Sequence, residues 1–260
     1  MKRIVYYDDV YNDDFAWSRG KIVPKKLGSD YKYVRQNILW QTTEFLLYRF
    51  IATPLLYVFC FLVFGLKVKN ASVIRKLKTG CFLYANHTNG LADAYIPTLV
   101  SFPKRSRIIT ASDSVSIPYI SGLVQMLGAV ALPDTPEGAR KFLNALKHYI
   151  NKKQTLMIYP EAHIWPFYNG IRPFTEASFT YPVRLKVPAV AVTVVYRQRK
   201  IFKNLPPLVT VFVSDPFYPE EGNPAAARKK LRDQVYNFMC ETVSRENSYE
   251  YIAYRKRPES

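Results

Sequence analysis

The stretch Leu83-Tyr-Ala-Asn-His-Thr-Asn-Gly-Leu-Ala-Asp93 decides how the rest of the chain is interpreted. The apolar run from Cys81 to Ala85 has the length and composition of a buried strand, and it stops at Asn-His. A polar loop with a glycine follows, and then an apolar-rich segment through Val100 that can form a helix. His87 is therefore predicted to lie at the exit of a strand, with the carboxylate of Asp93 six residues further on.

His87 has two interpretations. A lone histidine more often caps a helix or fills a polar site in the core than takes part in catalysis. If Asp93 bonds one imidazole nitrogen, however, it fixes the tautomer, and the other nitrogen can accept a proton from a hydroxyl. Open α/β sheets also place their chemistry at the carboxyl ends of their strands. The surroundings of His87 in the chain favour the catalytic interpretation.

A second polar loop follows the strand-like run Thr155–Tyr159. It reads Pro160-Glu-Ala-His-Ile-Trp-Pro166, so Glu161 lies just past the end of a predicted strand, as His87 does. In a parallel arrangement both residues would reach the same edge of the sheet. The sequence therefore predicts that these two loops form one site.

Strand-like and helix-like runs alternate after the His87 loop. The helix-like runs are Thr135–Lys152, which opens with Pro136-Glu137, and Asn223–Arg245. Alternation of this kind indicates an α/β domain with a mixed, largely parallel sheet flanked by helices. The further predicted strands are Arg107–Thr110, Leu127–Leu132, Val187–Tyr196 and Val209–Ser214.

The segment Phe50–Leu66 carries no charge over its whole length and is rich in aromatic residues. As a helix it would be about 26 Å long, just under the thickness of a bilayer core, and Thr53-Pro54 would kink it near its start. Three interpretations compete: a marginal spanning helix, a helix or hairpin embedded in one leaflet, and a buried core helix. The aromatic content favours contact with the membrane interface.

The formal net charge of +17 indicates an anionic partner, either nucleic acid or a membrane surface. Between Phe45 and Ala92 the chain has six basic residues and no acidic one, beside the apolar segment. That arrangement suits anionic lipid, and no nucleic-acid-binding motif is present, so we expect no nucleic-acid partner. Cys60, Cys81 and Cys240 are far apart, which predicts neither a disulfide framework nor a zinc site and favours a cytoplasmic environment.

Four blocks of the chain resemble the motifs of the 1-acylglycerol-3-phosphate (lysophosphatidate) acyltransferases, a family of membrane-associated glycerolipid acyltransferases. The first, Asn-His followed by Asp, resembles Asn86-His87 and Asp93. The second, a glycine and a hydrophobic run, resembles residues 128–132 in part. The third, Pro-Glu-Gly-Thr-Arg, resembles Pro160-Glu161, and the fourth, Val-Pro and a hydrophobic run, resembles residues 187–190. The resemblance covers roughly residues 80–215.

The chain departs from the family pattern at three points. Five residues separate His87 from Asp93 where the family has four, and Gly90 is where the loop could absorb the extra residue. The second block ends in Pro133-Asp-Thr135 without the family's arginine, and Ala162-His-Ile164 follows the glutamate where the family has Gly-Thr-Arg. The resemblance implicates those arginines in holding the phosphate of the acceptor, so these departures leave the acceptor open.

The resemblance implies a glycerol-phosphate acyltransferase-like fold and direct acyl transfer. His87, oriented by Asp93, would take the proton of an acceptor hydroxyl that attacks an acyl thioester, and no metal or cofactor would be needed. The donor would be acyl-CoA or acyl-carrier protein, and the acceptor a lysophospholipid. The predicted substrate-binding residues are Asn86, Glu161, His163, Arg172 and Arg184.

The predicted organisation has three parts: a polar N-terminal arm (residues 1–43), a membrane-associated helical segment (44–69) and an acyltransferase α/β domain (70–260). The protein is expected at the cytoplasmic face of a membrane, in contact with anionic lipid. The main hypothesis is a transferase that makes phosphatidate in phospholipid biosynthesis. Two alternatives remain open: an acyltransferase for another acceptor, and a catalytically inactive lipid-binding protein of the same fold.

Overall fold

The run Cys81–Ala85 forms the central strand of a seven-stranded sheet, and all five of its residues are buried. The computed structural model describes residues 3–16, 27, 31–90, 92–116, 120–246 and 248–258. The strands are β1 Arg3–Tyr7, β2 Lys67–Lys69, β3 Cys81–Ala85, β4 Ser106–Thr110, β5 Ala129–Ala131, β6 Thr155–Ile158, β7 Ala189–Arg197, β8 Leu208–Val213 and β9 Ile252–Lys256.

The main sheet has the order β2-β8-β7-β3-β6-β4-β5. Neighbours pair in parallel except β7 and β8, which are antiparallel. The predicted mixed, largely parallel sheet is therefore confirmed. The six strands expected from the sequence all occur, with ends displaced by at most two residues. Five neighbouring strands, β7, β3, β6, β4 and β5, are mutually parallel, so their carboxyl ends lie at one edge of the sheet. Sheets of this kind carry their binding and catalytic loops at that edge.

Helices cover both faces of the sheet. They are α1 Ile38–Leu46, α2 Thr53–Phe64, α3 Ser72–Lys76, α4 Ile96–Ser101, α5 Ser121–Met126, α6 Pro136–Asn151, α7 Thr180–Leu185 and α8 Pro224–Arg245. One apolar layer packs α6, α7 and α8 on the sheet, and the other packs α2, α3 and α4. The two helices predicted from periodicity begin at N-caps, since the Thr135 hydroxyl accepts from the Gly138 N–H and the Asn223 amide accepts from that of Ala225.

A continuous helical segment of 27 residues, Ile38–Phe64, is long and apolar enough to cross a membrane. It consists of α1, a π-helical turn at Leu47–Ala52 and α2, so the regular helix is interrupted just before Pro54, where a kink was predicted. Only 17% of the most apolar 18-residue stretch of this segment is buried, which argues against the interpretation as a buried core helix. The exposed side chains include Phe45, Leu46, Phe50, Ile51, Leu55, Val58, Phe61 and Leu62.

The predicted membrane segment, residues 44–69, differs from this helix at both ends. The helix starts at Ile38, behind an N-cap in which Asn37 accepts from the Trp40 N–H. It ends at Gly65, whose φ of +50° suits glycine, and Lys67–Lys69 then pair with β8 as an edge strand of the sheet. These three residues therefore belong to the α/β domain.

The described part of the N-terminal arm packs against the sheet domain. β1 pairs in parallel with β9, and the apolar cluster beneath them contains Trp165 and Tyr254. Phe15 donates its N–H to Ile164, and the Trp165 indole donates to the carbonyl of Asp13. The arm thus covers the loop that carries Glu161. The prediction for residues 17–26 and 28–30 of the arm lies outside the described residues.

Candidate active site

Strands β3 and β6 are direct neighbours, and each delivers one of the two predicted loops. Tyr84 pairs with Ile158 in the parallel register, so the residues that follow them leave the sheet at the same edge. The two loops touch there, because the backbone N–H of His87 donates to Oε2 of Glu161 at 3.2 Å. The predicted meeting of the His87 and Glu161 loops is therefore present.

His87 and Asp93 form a close pair. Nδ1 of His87 lies 2.7 Å from Oδ2 of Asp93, and the same carboxylate oxygen accepts the N–H of Asn89 at 2.9 Å. The side chain of Asp93 is 4% exposed, whereas that of His87 is 24% exposed. With the carboxylate at Nδ1, that nitrogen carries the proton, and Nε2 is left to accept one.

The loop between the two residues is irregular rather than helical. Residues 86–90 have no regular structure, and Asp93 lies in a short 3₁₀ turn at Ala92–Ala94. Asn89 organises this turn, since its side-chain oxygen accepts the N–H of Ala92 and its carbonyl accepts that of Asp93. The extra residue relative to the family spacing is thus accommodated in the loop, and the pair still forms.

Burial raises the pKa of Asp93, and the hydrogen bond from His87 opposes this shift. Oδ1, the second oxygen of Asp93, is buried and has no hydrogen-bond partner among the described residues. A proton on the imidazole would place a positive charge 2.7 Å from this carboxylate and stabilise its ionised form. Asp93 is therefore placed to compensate the charge of an imidazolium that forms during proton transfer.

Tyr159 is a part of the site that sequence reasoning did not assign. Its ring stacks on the His87 imidazole with centroids 4.6 Å apart and an angle of 26°. Its hydroxyl donates to the backbone carbonyl of Asp93 at 2.5 Å. Tyr159 thus contacts both members of the pair. The available signal was its place as the last residue before Pro160-Glu161 in the chain.

Glu161 is fully enclosed and forms an ion pair with Arg172 at 3.2 Å. Oε1 accepts the backbone N–H of Arg172, and Oε2 accepts that of His87 and one guanidinium N–H. Burial raises the pKa of Glu161, and the charge of Arg172 opposes this shift. The carboxylate ties the His87 loop to the segment around Arg172.

Arg172 was predicted to bind substrate, but its side chain is 1% exposed. Besides Glu161, its guanidinium donates to the carbonyls of His163 and Val10, and it lies over the Trp165 ring at 5.0 Å. These contacts are all with protein groups. Through these contacts Arg172 joins the Glu161 loop to the N-terminal arm. Contact between Arg172 and a substrate stays a prediction.

The other predicted binding residues lie in different settings. Asn86 is 1% exposed, and its amide exchanges two hydrogen bonds with the backbone of Val194 in β7, at 2.8 and 3.1 Å. His163 is 38% exposed beside Asp14, at 3.8 Å. Arg184 is exposed on α7. Only His163 combines exposure with a place in the site loops, and none of these three roles is tested by the geometry.

Among the described residues, no group of three His, Cys, Asp or Glu side chains is placed to hold a metal ion.

The apolar helix reaches the His87 loop. The ring of Phe59 in α2 meets the ring of Tyr95 edge-on at 6.0 Å, and Tyr95 lies two residues after Asp93. The layer that holds the exposed apolar helix is therefore also the one next to the His87 loop.

Comparison with known proteins places this arrangement in a class. The family model described as Acyltransferase matches residues 65–195, and the chain belongs to this family. The match includes β3, His87, Asp93, Glu161 and Arg172. None of the curated proteins compared with the sequence matches it.

Among solved structures, the chain is similar to the 1-acyl-sn-glycerophosphate (LPA) acyltransferase PlsC from Thermotoga maritima. The TM-score is 0.56 at 17% sequence identity, over 81% of this chain and 88% of that one. At this identity the likeness shows the fold. The acyltransferase class and the PlsC-like fold are thus those that the four sequence blocks implied.

Proposed function

We propose that this protein transfers a fatty acyl group from an acyl thioester to the hydroxyl of a lysophospholipid, with 1-acylglycerol-3-phosphate as the leading acceptor and phosphatidate as the product. The observation that carries the proposal is the 2.7 Å pairing of His87 with the buried Asp93 at the carboxyl edge of the sheet. Membership of the acyltransferase family supports acyl transfer as the reaction class.

In the proposed mechanism, Nε2 of His87 takes the proton from the acceptor hydroxyl as its oxygen attacks the thioester carbonyl. The tetrahedral intermediate collapses, the carbon–sulfur bond breaks, and the thiolate leaves with the proton returned by the imidazolium. Asp93 stabilises the imidazolium between these two steps. A thioester is already activated, so a positioned base and proximity supply much of the rate acceleration, and no acyl-enzyme forms.

Glu161 has a positioning role in this proposal. Its carboxylate accepts the backbone N–H of His87 and is itself fixed by Arg172, so it holds the base at the edge of the sheet. Asn86, one residue earlier, fixes the exit of β3 to β7 through Val194. Both residues act through His87 rather than through the substrate.

The membrane supplies the acceptor in this proposal. The exposed apolar face of Ile38–Phe64 would lie in the lipid, and Phe59 of the same helix packs on Tyr95 beside the His87 loop. A lysophospholipid could then present its hydroxyl to His87 without leaving the bilayer surface. The soluble donor, acyl-CoA or acyl-carrier protein, would arrive from the cytoplasmic face, where the basic surface attracts its anionic groups.

A second candidate, an acceptor other than 1-acylglycerol-3-phosphate, is favoured by the loop after β5. Asp134 accepts the N–H of Leu27, and Thr135 caps α6, so both residues have structural roles where the family carries an arginine. The buried Arg172 is already occupied by Glu161. A phosphate monoester would have to be held by other basic side chains, among which His163 is the exposed candidate of the site loops.

The test is thiol release from palmitoyl-CoA by detergent-purified protein, with lysophosphatidate, other lysophospholipids or no acceptor added. Release that requires lysophosphatidate supports the leading proposal. Release that requires a different lysophospholipid supports the second candidate with the same mechanism. Absence of release with every acceptor, repeated with acyl-carrier protein as donor, would contradict the enzymatic proposal and support the inactive lipid-binding alternative.

A further inference from the structure

A cavity of about 280 Å³ lies at the end of the sheet opposite the His87 site. Arg105 and Arg107, at the start of β4, form its floor together with Gln154, which precedes β6. His148 and Lys152 at the carboxyl-terminal end of α6 form one wall. The lining also includes residues of α1, the first part of the apolar helix, and Tyr31, Tyr33, Val34 and Arg35.

The cavity has a strong excess of positive charge. Its described lining holds four cationic side chains, Arg35, Arg105, Arg107 and Lys152, and one carboxylate, Glu44. Glu44 bridges the two buried guanidinium groups, at 2.9 Å from Arg105 and 3.1 Å from Arg107. A single carboxylate therefore has to compensate two cations whose side chains are only 15% and 8% exposed. Buried charges carry a desolvation cost, and a bound anion would compensate the positive charge that Glu44 leaves over.

The two arginines are held in fixed orientations. Arg107 donates to Gln154 at 2.8 Å and lies over the Tyr149 ring at 3.9 Å. Arg105 donates to the carbonyl of Met126 at 2.6 Å and lies over the Tyr48 ring at 4.3 Å. Nε of Arg105 is buried without a hydrogen-bond partner among the described residues, so this donor is unused. Planar guanidinium groups fixed in advance suit the oxygens of a phosphate group.

The position of the cavity along the apolar helix indicates where the phosphate would come from. Trp40, Gln41 and Glu44 of α1 face the cavity, whereas Ile38 and Leu39 on the same helix are 77% and 73% exposed. The apolar residues would enter the lipid, and the cavity then lies at the depth of the headgroups. Arg35, which is exposed, also stacks over the ring of Trp40 in this helix at 4.6 Å.

We propose that this cavity binds the phosphate-bearing headgroup of an anionic phospholipid, as a site separate from the one that carries His87. The headgroup would contact Arg105 and Arg107 at the floor and Arg35 and Lys152 at the rim. It would fix the height and rotation of the sheet domain on the membrane. The phosphate chemistry is shared with free inorganic phosphate, and the experiment separates the two sources.

His148 provides a local reporter of binding. Burial lowers its pKa, and the positive charges of Lys152 and Arg107 lower it further. A phosphate group in the cavity would offset those charges and move the titration of His148 upward. His87 and His163 lie at the other end of the sheet and serve as internal controls in the same NMR spectrum.

The experiment titrates the full-length protein, in neutral detergent, with dihexanoyl-phosphatidylglycerol, dihexanoyl-phosphatidylcholine or inorganic phosphate, and follows the ring resonances of His148. The proposal predicts at least roughly tenfold tighter binding of the anionic lipid than of the neutral one. The rim variant Arg35→Gln/Lys152→Gln should weaken that binding by roughly 25-fold, about fivefold for each charge. Both changes are at exposed positions, so folding is retained.

The matched control is Lys229→Gln/Arg245→Gln on α8, which removes the same charge outside the cavity. It should leave the affinity for the anionic lipid within about twofold of the unaltered protein. Equal weakening by the control would show attraction by net charge alone and overturn the proposal. Equal binding of the two lipids, or inorganic phosphate binding as tightly as the anionic lipid, would overturn the assignment of a lipid headgroup.

Discussion

Nδ1 of His87 lies 2.7 Å from Oδ2 of Asp93, although six positions separate the two residues in a loop that is not helical. Three neighbours hold this geometry: Asn89 donates to the same carboxylate oxygen, Glu161 accepts the N–H of His87, and Tyr159 stacks on the imidazole. The pair is thus fixed from the strand side and from the loop side. The proposed chemistry depends on this rigidity, because the base must meet a hydroxyl presented at the membrane surface.

Asp93→Asn is expected to lose roughly 100-fold or more in turnover, because the imidazolium loses its counter-charge. It should also change the pH dependence of stability. Burial raises the pKa of Asp93 in the folded protein, so the stability contributed by its protonated form is present at low pH and is lost as the pH rises through the raised pKa. The variant should therefore gain stability relative to the unaltered protein over the pH range from about 4 upward, through the raised pKa of Asp93.

Denaturant unfolding across that range measures the difference in free energy of unfolding between Asp93→Asn and the unaltered protein. Asp215→Asn, which makes the same change at an exposed carboxylate, is the matched control for the loss of a carboxylate charge. A difference for Asp93→Asn that stays constant across the range would contradict the effect of burial.

Arg172→Met is expected to destabilise the protein by about 3–5 kcal/mol, because it leaves the carboxylate of Glu161 buried without its charge partner. Glu161→Gln/Arg172→Met should recover part of that loss, since no unpaired charge then remains. Chemical denaturation of the two variants gives both values. A loss below about 1 kcal/mol for the single variant would show that the ion pair does not hold the loop.

Tyr159 offers a matched pair of variants. Tyr159→Phe removes the hydrogen bond to the carbonyl of Asp93 and keeps the stacking on His87, so turnover should fall by roughly fivefold, as expected for about 1 kcal/mol. Tyr159→Ala removes both contacts and should lower turnover by a clearly larger factor. Steady-state kinetics with saturating donor separates them. Equal effects of the two variants would show that the stacked ring has no part in orienting the base.

The exposed face of the apolar helix is expected to bind lipid. Phe61→Ser/Leu62→Ser alters two side chains that are 69% and 66% exposed, and should lower partition into neutral phosphatidylcholine vesicles by at least roughly tenfold per side chain. The unfolding midpoint in detergent should hardly change. The control Phe64→Ser, at a buried residue of the same helix, should lower that midpoint instead. Unchanged partition of the double variant would contradict membrane contact by this face.

Local patterns were sufficient to predict the centre of the fold. Cys81–Ala85 was predicted at its observed bounds because an uninterrupted apolar run is typical of a strand buried on both faces. The helix-like run Thr135–Lys152 was predicted from its helical periodicity and its Pro136-Glu137 start. The edge strand Lys67–Lys69 was not predicted, because three residues with alternating lysines carry no strand signal and its pairing with β8 is set by distant residues.

Local patterns also predicted part of the candidate site. His87, Asp93 and Glu161 follow strand ends, and strand ends can be found from the sequence. The burial of Arg172 could not be predicted, because an arginine beside an aromatic-rich loop has the same pattern whether it faces solvent or a carboxylate. The bridge from Glu44 to Arg107 joins residues 63 positions apart, and no local pattern pairs them.

The central claim is that His87 is the general base of an acyltransferase. The most direct measurement is the initial rate of thiol release from palmitoyl-CoA with the acceptor that the unaltered protein uses, compared with that of His87→Ala. The account predicts a fall of roughly 10²–10⁴-fold, with an unfolding midpoint close to that of the unaltered protein. A folded His87→Ala variant that releases thiol at the unaltered rate would contradict the account.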